Sequence, residues 1–181
     1  MSKITLVTGG ARSGKSTFAQ SILVDKEVLY IATSIPFDDE MKDRIRKHKE
    51  DRPKNWNTIE CYKDIDLHMK DRKEKYMLLD CITIMVTNLM FHYEKDWENI
   101  DIEGINKIEN LITDEVKRLI ECVRFLDANI VIVTNELGMG IVPSNLLSRV
   151  FRDIAGRVNQ ILGKYADEVY FVVSGIPIKI K

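Results

Sequence analysis

The sequence predicts an α/β fold in which helices cover both faces of a mostly parallel sheet. Its strand-like runs are apolar with little alternation, which is typical of strands buried on both faces of a parallel sheet, and helical stretches separate most of them. A glycine-rich loop joins the first run to a helical pattern, as in doubly wound folds. At 181 residues and 45% apolar composition, the chain has the length of one compact domain spanning residues 1–181.

The same patterns set the order of the elements. Strands are predicted at 4–8, 28–33, 76–81, 129–134 and 168–173, with a weaker one at 58–61. Helices are predicted at 15–24, 38–50, 82–92, roughly 104–126, and 144–164. Residues 178–180 are expected to add a short antiparallel edge strand after a turn at Gly175–Pro177.

The loop after the first strand fits the phosphate-loop pattern G-x-x-x-x-G-K-S at every fixed position. Its backbone N–H groups are expected to face a phosphate at a helix N-terminus, where the helix dipole also favours anions. Lys15 is expected to reach the β- and γ-phosphates, and Ser16 to ligate Mg²⁺. The predicted nucleotide-binding residues here are Gly9, Gly10, Ala11, Arg12, Ser13, Gly14, Lys15 and Ser16. The sequence therefore predicts a site for a nucleoside triphosphate.

Two acidic residues lie where strands are expected to end. Phosphate-loop enzymes need an acid at the carboxyl end of a neighbouring strand to orient hydrated Mg²⁺, and Asp80 is the candidate; capping of the next helix is the alternative role. Glu136 follows another strand and precedes a glycine-bearing loop, a place where α/β proteins bind ligands. A structural hydrogen bond is the competing interpretation of Glu136.

The last long helix carries further candidates. Ser144 can cap it, and Arg149, Arg152 and Arg157 lie within it, where a guanidinium could neutralise charge during phosphoryl transfer; solvation or pairing with a neighbouring acid is the alternative. Gly156, in mid-helix, costs about 1 kcal/mol relative to alanine, which suggests close packing or approach to a ligand.

The charged stretch at 42–54 has the composition of a solvated helix face, yet it places His48 between two cations. Arg44 and Arg52 lie four residues to either side on a helix, and like charges at that spacing favour the neutral imidazole. A neutral imidazole is a nucleophile, and the arginines could hold a triphosphate while a ring nitrogen attacks its α-phosphorus. His68 and His92 lie in ordinary amphipathic segments and are interpreted as structural.

Composition narrows the class of partner. With 27 basic and 28 acidic residues the formal charge is −1, so no global field would recruit nucleic acid or an anionic membrane, and a small-molecule partner fits better. Cys61, Cys81 and Cys122 form no C-x-x-C pair, which favours reduced thiols over disulfides or zinc. No apolar run has the length of a membrane span or a signal peptide, so a soluble cytoplasmic protein is expected.

The most specific motifs of the chain are Thr-Asn-Glu-Leu-Gly-Met-Gly-Ile-Val-Pro at 134–143 and Arg-Asp-Ile-Ala-Gly-Arg-Val-Asn-Gln at 152–160. Together with other motifs they resemble the bifunctional adenosylcobinamide kinase and adenosylcobinamide-phosphate guanylyltransferase family of coenzyme B12 assembly. The others are the phosphate-loop string at 7–16, Tyr-Ile-Ala-Thr-Ser at 30–34, Asp-Asp-Glu-Met at 38–41, His48-Lys49 with Arg52-Pro53 and Trp56, Ile82-Thr83, Val86-Thr87-Asn88-Leu89, and Val173-Ser174-Gly175. The likeness runs nearly from end to end.

The resemblance implies two reactions at one site. ATP or GTP phosphorylates the aminopropanol hydroxyl of adenosylcobinamide, and GMP from GTP is then transferred to that phosphate with loss of pyrophosphate. The family carries GMP on a histidine as a phosphoramidate, and His48 is the matching position; the matched motifs add Thr33, Ser34 and Arg52 to the nucleotide contacts. The resemblance also implies a recombinase-like phosphate-loop fold, Mg²⁺, and a homotrimer in which the arginines or the His48 helix act across a subunit boundary.

Two other functions remain open at this point. A simple kinase of a small alcohol needs the phosphate loop and Asp80 but no covalent histidine. A nucleotide-dependent switch or assembly subunit needs nucleotide binding but no soluble acceptor. Binding of a corrinoid separates both from the favoured interpretation.

Overall fold

The computed structural model of the chain describes residues 2–36, 39, 43, 46 and 53–181. Most of the helix predicted at 38–50 lies outside these residues, as do Arg44, His48 and Arg52. Among the described residues, none of the helices has the length and apolarity needed to cross a membrane.

The centre of the molecule is a seven-stranded sheet of order β3-β2-β4-β5-β1-β6-β7, in which only β7 is antiparallel to its neighbour. The strands are β1 Lys3–Gly9, β2 Val28–Ala32, β3 Asn57–Glu60, β4 Tyr76–Asp80, β5 Asn129–Val133, β6 Glu168–Val173 and β7 Ile176–Lys179. The described helices are α1 Lys15–Ser21, α2 Ile65–Met69, α3 Ile82–Tyr93, α4 Ile102–Phe125 and α5 Leu146–Tyr165. The α/β fold with a mostly parallel sheet is confirmed.

Burial on both faces explains why the strands read as continuous apolar runs. Along β1, Ile4 and Leu6 belong to the larger core, which contains residues of α2, α3, α4 and α5, whereas Val7 belongs to a smaller core with α1. All five residues of β2 are buried. Alternate side chains of one strand therefore serve two helical layers, which is the arrangement expected of a parallel sheet.

The strand register brings the carboxyl ends together. Val7 of β1 and Asp80 of β4 both pair with Val133 of β5, so they stand at the same level on either side of it. Neighbouring strands are about 4.8 Å apart, which separates the two positions by about 10 Å. The residues that follow β1 and those that end β4 thus share one edge of the sheet.

Three local expectations at the ends of elements were wrong. Asn145 and not Ser144 caps α5, because its side chain accepts a hydrogen bond of 2.8 Å from the N–H of Ser148. The turn before the last strand is Ser174–Gly175, where both φ angles are positive (50° and 82°), as a two-residue hairpin requires. Pro177 lies within β7 opposite Val172, on the edge strand, where proline is tolerated.

Two further differences concern helices. The short helix α2 was not predicted, because five residues give too few turns for an apolar period to show. The close packing expected at Gly156 is absent within the described residues, since a Cβ added there would meet no heavy atom within 4 Å.

Candidate active site

The loop between β1 and α1 is shaped by close backbone contacts with the C-terminal hairpin. A Cβ at Gly9 would lie 2.4 Å from the carbonyl oxygen of Val172, so only glycine fits there. Gly14 has a φ of 94°, in the left-handed region, and precedes the first residue of α1. The N–H of Gly175 donates a hydrogen bond of 2.8 Å to the carbonyl oxygen of Ser13. The β6–β7 turn therefore packs against the loop and stabilises its backbone conformation.

Lys15 starts α1 and is buried, with 7% of its surface exposed. Its ammonium group donates a hydrogen bond of 2.6 Å to the carbonyl oxygen of Gly10, inside the loop. A buried ammonium group hydrogen-bonded to the backbone of a glycine-rich loop is suited to bind a phosphate group.

Asp80 ends β4 at the same edge of the sheet. The hydroxyl of Tyr30, a buried residue of β2, donates a hydrogen bond of 3.0 Å to Oδ2 of Asp80. Tyr30 is opposite Leu78 in the register, so Tyr30 and Asp80 are diagonal neighbours on one face of the sheet. Trp56 packs beside Tyr30, with ring centroids 6.3 Å apart. The hydrogen bond from Tyr30 fixes one oxygen of the Asp80 carboxylate.

Thr33 secures the backbone next to Asp80. Its hydroxyl donates a hydrogen bond of 2.8 Å to the carbonyl oxygen of Cys81 and accepts one of 3.0 Å from the Cys81 N–H. The carbonyl oxygen of Thr33 accepts 2.7 Å from the side-chain amide of Asn88 on α3. The hydroxyl and the carbonyl oxygen of Thr33 therefore both make hydrogen bonds within the protein. The next residue, Ser34, is half-buried.

The pKa of the Cys81 thiol is affected by the charged groups around it. Burial, with a smaller contribution from the carboxylate of Asp80, raises the pKa of this thiol to about 11, although the charge of Lys15 acts in the opposite direction. An anion and a cation therefore both lie near the same buried group. Cys61, Cys81 and Cys122 are all free thiols in the structure.

The end of β5 carries a polar network beside the phosphate loop. The backbone N–H of Glu136 donates 3.0 Å to the carbonyl oxygen of Gly9, and Oε1 of Glu136 accepts 2.6 Å from the N–H of Gly138. The structural role considered for Glu136 is thereby observed. Further hydrogen bonds in this network join Thr83, Thr134, Asn135 and Asn159 at 2.7 to 3.3 Å.

The arginines of α5 contact protein groups. Arg149 donates to the carbonyl oxygens of Pro143 and Ser144, which ties the end of the preceding loop to the helix. Arg152 pairs with Asp153 at 3.2 Å. Arg157 pairs with Glu109 of α4, which links the two long helices. These contacts support a structural role for the three arginines.

The donor set at this edge fits Mg²⁺. The ion prefers hard oxygen ligands and keeps several waters, and the hydroxyl of Ser16 with the carboxylate of Asp80 supplies oxygen donors on the two segments that the sheet brings together. The hydrogen bond from the Tyr30 hydroxyl fixes the orientation of the Asp80 carboxylate. These two residues would hold the ion.

Residues 5–180 match the model of the family described as cobinamide kinase / cobinamide phosphate guanyltransferase. The chain belongs to this family. It is accordingly an enzyme of cobalamin biosynthesis with kinase and guanylyltransferase activity, which decides against a nucleotide-dependent switch and against a kinase with no second activity.

Curated relatives match nearly the whole chain. The bifunctional adenosylcobalamin biosynthesis protein CobU of Salmonella typhimurium is 53% identical over 181 residues, covering 97% of this chain and 98% of the relative. The protein of the same name from Escherichia coli is 49% identical with the same coverage. The bifunctional adenosylcobalamin biosynthesis protein CobP of Pseudomonas aeruginosa is 34% identical, covering 97% of this chain and 96% of the relative.

The structure brings some predicted site residues of this family member together and leaves others undescribed. The phosphate loop and Asp80 share one edge of the sheet, whereas His48 and Arg52 lie outside the described residues. His92 is exposed on α3, with Nδ1 3.4 Å from the hydroxyl of Tyr62, and His68 is exposed on α2. Sequence reasoning missed the contact of Tyr30 with Asp80, which only the register of β2 against β4 reveals.

Proposed function

We propose that this chain phosphorylates adenosylcobinamide with ATP or GTP and then transfers GMP from GTP to adenosylcobinamide phosphate. The observation that carries the proposal is the shared edge: the glycine-rich loop with its buried Lys15 follows β1, whose Val7 stands level with Asp80 across β5. A single phosphate loop at that edge can serve both triphosphates in turn. Family membership supplies the cobinamide acceptor.

In the kinase reaction, the aminopropanol hydroxyl oxygen attacks the γ-phosphorus in line and loses its proton to water, and the nucleoside diphosphate leaves as the bond to its bridging oxygen breaks. Lys15, freed from the carbonyl oxygen of Gly10, places its charge at the transferring phosphate. The loop N–H groups hold the remaining phosphate oxygens. Bound Mg²⁺ would neutralise part of the charge that develops there, with Ser16 and Asp80 as its protein contacts.

In the guanylyl reaction, a neutral ring nitrogen of His48 attacks the α-phosphorus of GTP and pyrophosphate leaves. A phosphate oxygen of adenosylcobinamide phosphate then attacks the same phosphorus, the P–N bond breaks, and the imidazole is released. Further nucleotide contacts are proposed for Thr33, Ser34, Arg52 and Glu136. For Thr33, the hydrogen bonds to Cys81 point to a role in fixing the backbone beside Asp80.

We further propose that residues 1–181 form one catalytic domain acting in the cytoplasm as a homotrimer. All seven strands join a single sheet, which supports the single domain. Arg157 pairs with Glu109 of α4, which supports a structural role for this arginine.

The test is His48→Asn, incubated with GTP labelled at the α-phosphorus. Asparagine cannot replace the imidazole, so the variant is expected to phosphorylate adenosylcobinamide at the wild-type rate and to acquire no acid-labile label. The matched control is His92→Asn, which removes an exposed histidine and is expected to be labelled normally. Labelling of the His48→Asn protein would refute the assignment of the nucleophile.

A further inference from the structure

The loop that joins β5 to α5 presents apolar side chains to solvent at the edge of the sheet that carries the phosphate loop. Met139, Ile141 and Val142, which we call the apolar tip, are 80%, 95% and 61% exposed. Residues 137–144 read Leu-Gly-Met-Gly-Ile-Val-Pro-Ser and contain no charged side chain. Large apolar residues of these types are mostly buried in proteins, and a cluster of them in solvent marks a contact surface.

Hydrogen bonds at both ends hold this loop. Its start is tied to the phosphate loop by the N–H of Glu136, which donates 3.0 Å to the carbonyl oxygen of Gly9. Its end is tied to α5 by the guanidinium of Arg149, which donates to the carbonyl oxygens of Pro143 at 3.2 Å and Ser144 at 2.5 Å. The apolar tip is therefore anchored beside the place where phosphates are proposed to bind.

The chemistry of the two substrates differs in a way that the site reflects. A triphosphate needs cations and N–H donors, which the loop 9–16 and Lys15 provide. A corrin macrocycle instead presents methyl groups and neutral carboxamides around its rim, and it must lie close enough for its aminopropanol arm to reach the transferred phosphate. An uncharged apolar surface beside the phosphate loop is complementary to such a macrocycle.

We propose that the apolar tip is the surface on which the corrin macrocycle of the acceptor docks in both reactions. The macrocycle rests on Met139, Ile141 and Val142, and its hydroxyl-bearing or phosphate-bearing arm extends from there towards Lys15. This inference rests on the proposed function. It adds the position of the large substrate.

The experiment measures KM separately for adenosylcobinamide and for ATP in the full chain carrying Ile141→Ser or the pair Met139→Ser and Ile141→Ser. Loss of an apolar contact on docking is expected to raise the KM for adenosylcobinamide at least about tenfold in the double variant. The KM for ATP is expected to stay at the wild-type value. Phe125→Ser is the matched control, since Phe125 is 86% exposed at the opposite end of the molecule, where α4 leads into the start of β5.

Three results would overturn the inference. One is an unchanged KM for adenosylcobinamide in the double variant, and another is an equal rise in the KM for ATP, which would show a general effect on the phosphate loop. The third is a change in sedimentation of the double variant, which would assign the tip to contact between copies of the chain. Wild-type turnover of adenosylcobinamide is measured alongside: its absence refutes the proposed function, whereas turnover with unaltered variants refutes the docking surface alone.

Discussion

Replacing Tyr30 by phenylalanine removes one hydroxyl and the hydrogen bond of 3.0 Å that it donates to Asp80. The ring stays in its buried position beside Trp56, so the fold is retained. Hydrogen bonds to charged groups contribute about 1.5–3 kcal/mol, and because Asp80 is only half-buried, water can replace part of the lost bond. We therefore expect the lower end of that range, about 1.5 kcal/mol. At Mg²⁺ concentrations below saturation, this corresponds to roughly a tenfold fall in rate.

The assay is the rate of adenosylcobinamide phosphorylation as Mg²⁺ is titrated. Tyr30→Phe is expected to need more Mg²⁺ for half-maximal rate and to approach the wild-type rate at saturation, because a carboxylate without its partner orients the hydrated ion less well. Tyr76→Phe is the control. Tyr76 lies at the start of β4, at the opposite end of the strand from Asp80, so its loss should leave the Mg²⁺ dependence unchanged.

A double-variant cycle decides whether the hydroxyl acts through Asp80. In an Asp80→Asn background the charged acceptor is already gone, and adding Tyr30→Phe is expected to cost little more. The reasoning fails if the two effects add in full, or if Tyr30→Phe has the wild-type Mg²⁺ dependence. In either case the bond between Tyr30 and Asp80 would be a structural contact with no part in the reaction.

Three further outcomes are expected. Lys15→Ala should abolish both the kinase and the guanylyl reaction, since one ammonium serves both triphosphates; a near-normal rate of either reaction would contradict the shared site. Hydrogen bonds from Lys179 and Lys3 lower the pKa of Glu168 from 4.5 to about 2, so the stability lost in Glu168→Gln should be seen at neutral pH and vanish as the pH falls from about 4.5 to 2, as measured by urea unfolding. Gly156→Ala should raise the free energy of unfolding by about 1 kcal/mol, since a Cβ there meets only open space; a loss of activity in that stabilised variant would show a ligand approaching the helix.

The order of the elements was predictable because each long element repeats its signal several times. The helix α4 carries an apolar stripe over six turns, and its predicted bounds of about 104–126 differ from Ile102–Phe125 by two residues or fewer at each end. The helix α2 has just over one turn, and nothing in its five residues separates it from a polar connection. Predictability here follows the number of repeats of the pattern.

Among the site residues, those that lie in one continuous segment were predictable, and a contact that depends on strand register was not. The phosphate loop was predictable because its chemistry lies in eight consecutive residues, and Asp80 because it ends an apolar run. The hydroxyl of Tyr30 was not predictable as a partner of Asp80, since their meeting depends on which residue of β2 lies opposite Leu78. A shift of the register by one residue would place Tyr30 on the other face of the sheet.

The cap of α5 shows the limit of local chemistry. Serine and asparagine are both good capping residues, and Ser144 and Asn145 are adjacent, so composition alone could not choose between them. In the structure the cap is Asn145, and the preceding residue, Ser144, instead accepts a hydrogen bond from Arg149 at its carbonyl oxygen.

The phosphate loop contacts the C-terminal hairpin in two places: Gly175 donates a hydrogen bond to Ser13, and Gly9 lies against Val172. These contacts have a consequence for the synthesis of the protein. The loop 9–16 is synthesised well before the hairpin that packs against it, because it precedes β6 and β7 in the chain. A nascent chain halted before residue 170 would carry the whole of 9–16 without the strand that closes against it. Nucleotide binding is therefore expected only once β6 and the β6–β7 turn have been synthesised, and a truncation that removes this hairpin is expected to perturb the phosphate loop.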